Sequence, residues 1–174
     1  MARYGSEKIR GHGIPEALEA ILIGKSLVQP RVAILKPLSS PLSIGTGGPF
    51  GAEGPIIMTG GACGSILAQF FNLSAQERKT LLVAGAAGGM SATFNAPVAS
   101  VLFAVEMLLF EWKPRSVVPV AVASAVAAII RPLLLGSGPL FAIAPHPPFS
   151  TEALMGTLLV GVLEIGRASC RERV

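Results

Sequence analysis

GTGGPFGAEGP, Gly45 to Pro55, places one carboxylate, Glu53, among glycines and directly ahead of Gly54-Pro55 and an apolar helical run. Proline suits the first turn of a helix, where its missing N–H is not needed. The amides that open such a helix point at whatever lies in front of them, and the helix dipole favours an anion there. A lone carboxylate inside a membrane is costly and reads as functional by default. Glu53 is therefore expected to be an acid tethered at an anion site, as a gate for anions requires.

The surrounding chain supports a membrane setting. It is 51% hydrophobic and only 14% charged, with a mean hydropathy of +0.63. Charged side chains are absent from Gly54 to Ala75, from Thr80 to Val105 and from Ser116 to Ile130. Each run is long enough, or nearly so, for a spanning helix of about 20 residues. The runs are rich in Gly, Ala and Ser, and Gly60-x-x-x-Gly64 and Gly85-x-x-x-Gly89 have the spacing that lets membrane helices approach closely. The expected fold class is all-α integral membrane, with short and broken helices. A Gly/Ala-rich soluble core is the rival, and a soluble domain of this size carries more charge.

Several function classes are disfavoured. The start, MARYGSEKIRGHG, has no apolar core of the signal-peptide type. The net charge of +4 is spread over short loops and suggests no nucleic-acid partner. Cys63 and Cys170 are too few for a disulfide framework, and Cys63, in an apolar helix, is expected to pack. No Cys/His cluster has metal-ligand spacing, so no metal or cofactor is expected. His12 and His146 lack the partners of a hydrolase, and no Lys-Ser/Thr follows the glycines as in a phosphate-binding loop. The chain is not expected to be an enzyme.

Along the chain, PEALEAILIG forms a short helix stopped by Gly24, and Pro30 to Ile44 an apolar segment interrupted by Pro37 and Pro41. Helices follow from Pro55 to Phe71, from Ala75 to Phe94 with Ser74 and Glu77 as a capping box, and from Asn95-Ala96-Pro97 to about Phe110. A sixth runs from Ser116 to Leu135 with Pro119 in its first turn, a Pro-rich loop spans Gly136 to Ser150, and a seventh starts at Thr151. After Leu163 the chain turns abruptly into EIGRASCRERV. Residues 164–174 match the usual translation of a DNA sequencing adapter, so 1–163 is read as the native part, cut in mid-helix; the alternative is a basic tail. Without it the net charge falls to +3, as three Arg and two Glu are lost.

Short helices broken by Gly and Pro are what transporters use to aim helix ends at an ion near the midplane. Two such starts occur, Gly11-His12-Gly13-Ile14-Pro15 and Gly51-Ala52-Glu53-Gly54-Pro55. At these residues, and at LLVAGAAGGMSATFNAPVASVLFAVEM, the chain resembles the CLC family of chloride channels and proton–chloride antiporters over nearly its whole length to Leu163. The resemblance implies a membrane domain of two inverted halves, a homodimer with one pore per subunit, chloride as the ion and the cell (inner) membrane as the location. Only about one half is present here. The second half's helix start and its pore tyrosine are not found, since Tyr4 is the only tyrosine.

Carried over residue by residue, Glu53 matches the gating glutamate. Gly54, Pro55 and Ile56 match the helix start whose amides face chloride, preceded by Gly51. Gly11, His12, Gly13, Ile14 and Pro15 match the first ion-binding loop, with His12 where a serine is usual. Glu106 matches an acid near the inner end of the fifth helix, and Met107 stands where the antiporters usually carry a proton-relaying glutamate. Methionine cannot carry a proton, which favours passive conduction. Ala52 replaces the family's usual arginine. The expected function is chloride conduction through a voltage-gated-type channel with a glutamate gate. The alternatives are proton-coupled antiport and a structural fragment that does not conduct. Glu16, Glu19, Glu77 and Glu111 are expected to be solvated, Phe70 and Phe71 to pack or face lipid, and Trp112 to anchor at an interface.

Overall fold

The structure, a computed structural model, describes residues 13–47, 51–71, 73–136 and 150–171. Two compact units are distinguished, Met1–Gly138 and Pro139–Val174. The described part of the first holds six helices: α1 (Ile14–Leu22), α2 (Pro30–Gly45), α3 (Glu53–Gln69), α4 (Ala75–Phe94), α5 (Pro97–Ala104) and α6 (Pro114–Leu135). The second holds α7 (Thr151–Arg171), which runs past Leu163 without a break and opens with the Ser150 hydroxyl accepting the Ala153 N–H at 3.2 Å.

Local signals place most helix ends. Ser74 caps α4: its hydroxyl accepts the Glu77 N–H at 3.3 Å while the Glu77 carboxylate accepts the Ser74 N–H at 2.9 Å. Asn95 closes α4 in the left-handed region (φ 54), and Pro97 opens α5. The uncharged run Thr80–Val105 is thereby divided between two helices rather than forming one span. Among the described residues, only α6 is long and apolar enough by itself to cross a membrane; Pro97–Leu109 and Thr151–Leu163 are shorter apolar helices. The expectation that all three uncharged runs approach spanning length is corrected accordingly.

Three further boundaries differ from the sequence reading. Helix α3 begins at Glu53, so this acid belongs to the first turn. Helix α6 begins at Pro114, which places Pro119 inside it. Helix α2 runs unbroken through Pro37 and Pro41. The hydroxyls of Ser39 and Ser40 both donate to the Lys36 carbonyl, at 3.1 and 2.7 Å. The Pro-rich loop at 137–149 lies outside the described residues.

Helix α4 is central, with α3 on one side and α6 on the other. The small-residue spacing does what its pattern predicts. A Cβ added at Gly60 would strike the Gly85 carbonyl, one at Gly85 would strike the Gly60 carbonyl, and one at Gly64 would strike Leu81. The α3 and α4 backbones are therefore in contact, and dispersion between them takes the place of large side chains. Around that seam Ile57, Met58, Leu82, Val83, Ala86 and Ala87 are buried.

Buried hydroxyls tie the remaining elements. Ser65 on α3 accepts the Val28 N–H at 2.9 Å and donates to the Ser26 carbonyl at 2.8 Å, fastening the α1–α2 turn, where Lys25 and Ser26 have positive φ. Ser91 of α4 donates to the Ser124 carbonyl of α6 at 2.7 Å, and Ser124 donates to the Pro97 carbonyl of α5 at 2.9 Å. Buried Arg131 donates from Nε to the Ala92 carbonyl at 2.9 Å, satisfying an acceptor in the last turn of α4, where the helix dipole favours a cation. Cys63, expected to pack, is instead exposed on the outer side of α3.

Candidate functional site

The two predicted helix starts meet. Gly13 is the N-cap of α1, buried, with φ +96, a conformation open to glycine and strained for other residues. A Cβ at Gly13 would run into Gly54, at 2.5 Å from its carbonyl carbon. The start of α1 therefore abuts the first turn of α3 backbone to backbone, which is possible only because Gly13 lacks a side chain. Ile14 packs against the core and Pro15 occupies the first turn of α1. Gly11 and His12 lie outside the described residues.

Glu53 is exposed in the first turn of α3 and lines a cavity of about 370 Å³. The other walls are Ile57 of α3, Met90 and Phe94 of α4, Ala96, and Ala99, Ser100 and Phe103 of α5. The Ser100 hydroxyl is turned back to the Ala96 carbonyl at 2.9 Å. The carboxylate thus has a largely apolar surround with open space beside it. Gly54 is buried behind it. Pro55 and Ile56 line a separate groove of about 730 Å³, with Pro37, Pro41 and Ala52 among its walls. Gly51 has open space around it.

Helix α5 ends in a π-helical turn, Val105–Leu109, closed by Phe110 at φ 57, whose N–H donates to the Val105 carbonyl at 2.9 Å. Glu106 and Met107 lie on this turn and are exposed, one turn beyond Phe103 of the Glu53 cavity and not among its walls. A π turn widens a helix by one residue and recurs at functional sites.

Two acids read as simply solvated prove to be structural. Glu16 Oε2 accepts the Gly13 N–H at 2.7 Å and so holds the turn that touches Gly54. Glu111 has a side chain only 17% exposed; it pairs with Lys113 at 3.1 Å, accepts the Ser116 hydroxyl at 2.8 Å and accepts the Gln76 amide. Ser116 and Lys113 hold its carboxyl below the usual range, and Ser74 does the same for Glu77. Lys79 Nζ donates to the Leu109 carbonyl at 2.6 Å, so the start of α4, the π turn and the start of α6 form one polar end. Phe70, Phe71 and Trp112 are exposed there or on adjoining turns.

Sequence reasoning did not find the apolar walls of the Glu53 cavity. Met90, Phe94 and Phe103 are ordinary core residues by pattern, and only the crossing of α3, α4 and α5 sets them beside the acid. It also did not single out Lys36, which is 2% exposed on α2.

Residues 1–166 match the family model described as voltage gated chloride channel. The chain is 27% identical over 184 residues to a putative chloride channel protein, ClcB-like, of Ralstonia nicotianae, covering 96% of this chain and 43% of that protein. It is 32% identical over 156 residues to the H(+)/Cl(-) exchange transporter ClcA of Vibrio vulnificus, covering 88% of this chain and 33% of the relative. Against the same-named protein of Vibrio cholerae the figures are 34% over 159 residues, with 88% and 33% covered. The bundle of short, Gly-seamed helices is an all-α membrane architecture, and the chain belongs to the CLC family of voltage gated chloride channels. It spans about a third to two-fifths of the length of these relatives.

Proposed function

We propose that this chain contributes one half of a chloride pathway across the cell (inner) membrane, in a protein that is not an enzyme and works as a homodimer. Chloride would exchange its water for the amide ends of α1 and α3, with Gly11–Pro15 on one side and Gly51, Gly54, Pro55 and Ile56 on the other. Glu53 would be the gate, its carboxylate competing with the anion for the same amides. The observation that carries this reading is the abutment of Gly13 on Gly54 next to a carboxylate that lines an open apolar cavity. Low dielectric strengthens both the attraction of the amides and the competition from Glu53.

The channel form of this reading is favoured by Met107, an exposed apolar side chain where proton transfer would need an acid. The names of the ClcA relatives favour proton-coupled exchange as the second reading, with protons passing Met107 by another route from Glu106. Because the chain covers only part of those proteins, conduction belongs to the full-length protein and this segment by itself would be structural.

The test is chloride efflux from liposomes holding the full-length protein, recorded with internal pH. Glu53→Gln, which imitates the protonated acid, raises efflux or removes its pH dependence. Identical flux in mutant and wild type at every pH rules Glu53 out as the gate. Uphill proton movement driven by chloride assigns the exchanger; chloride flux without it assigns the channel.

A further inference from the structure

Arg131 on α6 is enclosed by the helices, at 6% exposed, and the proposed pathway makes no use of it. A guanidinium within a membrane helix is costly and reads as functional by default. Its Nε donates to the Ala92 carbonyl at 2.9 Å, in the last turn of α4, where carbonyls have no partner within the helix. Ser124 lies two turns earlier on the same face of α6. It donates to the Pro97 carbonyl at 2.9 Å, and its own carbonyl accepts the Ser91 hydroxyl at 2.7 Å. One face of α6 therefore holds the corner between α4 and α5 at three points, on both sides of the Asn95 turn.

That corner is half of a partition. Ala92 and Thr93 line the groove of about 730 Å³, whereas Phe94 and Ala96 line the cavity of about 370 Å³. The first turns of α3 form the other half in the same way: Pro55 and Ile56 line the groove, Glu53 and Ile57 the cavity. Glu53 thus stands at a wall with space on both sides, which packing alone does not fix. We propose that Arg131, assisted by Ser124, is a positioning residue for the gate: it anchors the α4–α5 corner so that Glu53 closes against a fixed wall; this rests on reading Glu53 as the gate. A charged donor suits the task, since its hydrogen bond is roughly twice as strong as a neutral one. When the tie is lost the corner yields into the adjoining space, and the anion passes with Glu53 still in place.

The experiment measures chloride efflux at neutral pH from liposomes holding the full-length protein. Arg131→Met, Arg131→Lys and Ser124→Ala are each made alone and together with Glu53→Gln. Arg131→Met raises efflux roughly tenfold, the worth of one hydrogen bond in the closed arrangement. Ser124→Ala raises it roughly threefold. Arg131→Lys, which keeps a charged donor, stays within about twofold of wild type. Combined with Glu53→Gln, none of the three changes efflux further, because no gate is left to be positioned. Amide exchange at Asn95, whose N–H donates to the Ser91 carbonyl at 2.9 Å, speeds up in Arg131→Met while that at Leu82 does not.

A merely structural Arg131 changes efflux by the same factor with and without Glu53→Gln, and that pattern overturns the inference. Unchanged or lowered efflux in Arg131→Met overturns it as well, as does unchanged exchange at Asn95. If Arg131→Met does not fold, Ser124→Ala and its double variant decide on the same terms. Glu53→Gln that conducts as wild type overturns the proposed gate, and this inference with it. Glu53→Gln that opens the pathway while Arg131→Met acts equally in both backgrounds overturns this inference alone.

Discussion

Replacing Gly13 by alanine strikes two features of the site at once. Its φ of +96 lies where a Cβ is strained, at about 1–2 kcal/mol. The added methyl would also press on the Gly54 backbone, which cannot rotate away as a side chain would. Overpacking of that kind costs about 1–3 kcal/mol. The sum, about 2–5 kcal/mol, is a large part of an ordinary folding stability of about 5–15 kcal/mol. Three controls separate the parts. Gly47 has φ +83 with nothing within 4 Å, so Gly47→Ala bears the strain alone. Gly60 has ordinary helical φ but faces the Gly85 carbonyl, so Gly60→Ala bears the clash alone. Gly51 has neither, so Gly51→Ala stays within about 0.5 kcal/mol of wild type. Denaturant unfolding of the full-length protein in detergent, followed by helix content, ranks the four. Gly13→Ala must exceed Gly47→Ala by at least about 1 kcal/mol. If the two are equal, α1 and α3 do not touch at Gly13 and Gly54, and the convergent site is wrong.

Two further predictions follow from buried and terminal polar groups. Ser65→Ala leaves the buried Val28 N–H and Ser26 carbonyl without their partner and costs about 1–3 kcal/mol, seen as faster amide exchange at Val28 but not at Leu82. Glu77 and Glu111 both have carboxyls held below the ordinary value near 4.3, so the unfolded chain binds protons more readily than the folded one. Their contribution is complete above that ordinary value and is lost as pH falls through the depressed one. Exchange protection at the start of α4 should fall as the pH is taken below the ordinary carboxylate value while the α3–α4 seam holds, and protection that does not change on acidification refutes the assignment.

Much of the helix order was legible because its signals are local. Ser74 with Glu77, Asn95-Ala96-Pro97 and the Gly-Pro start at Gly54-Pro55 each act within one turn, so a short window contains the whole cause. The spacing of Gly60, Gly64, Gly85 and Gly89 was legible for the same reason, since a helix puts residues four apart on one face. The π turn at 105–109 was not, because a contact from outside it, Lys79 on the Leu109 carbonyl, helps to fix its end. Glu16 and Glu111 looked like solvated charges because their partners, Gly13, Gln76 and Ser116, are identified by geometry and not by residue type. Cys63 shows the converse: an apolar neighbourhood in sequence does not say which side of α3 faces outward.

The residue order by itself determined that this chain is helical and apolar, that two glycine-flanked helix starts exist, and that one of them carries an acid. Composition and one-turn spacing carry that information without reference to distant residues. Only the tertiary structure decided that the two starts meet at Gly13 and Gly54, that Glu53 lines a cavity walled by Met90, Phe94 and Phe103, and that Lys36 is enclosed. Those outcomes depend on how closely α3 can approach α4, and hence on packing between segments far apart in the chain, which no local pattern records.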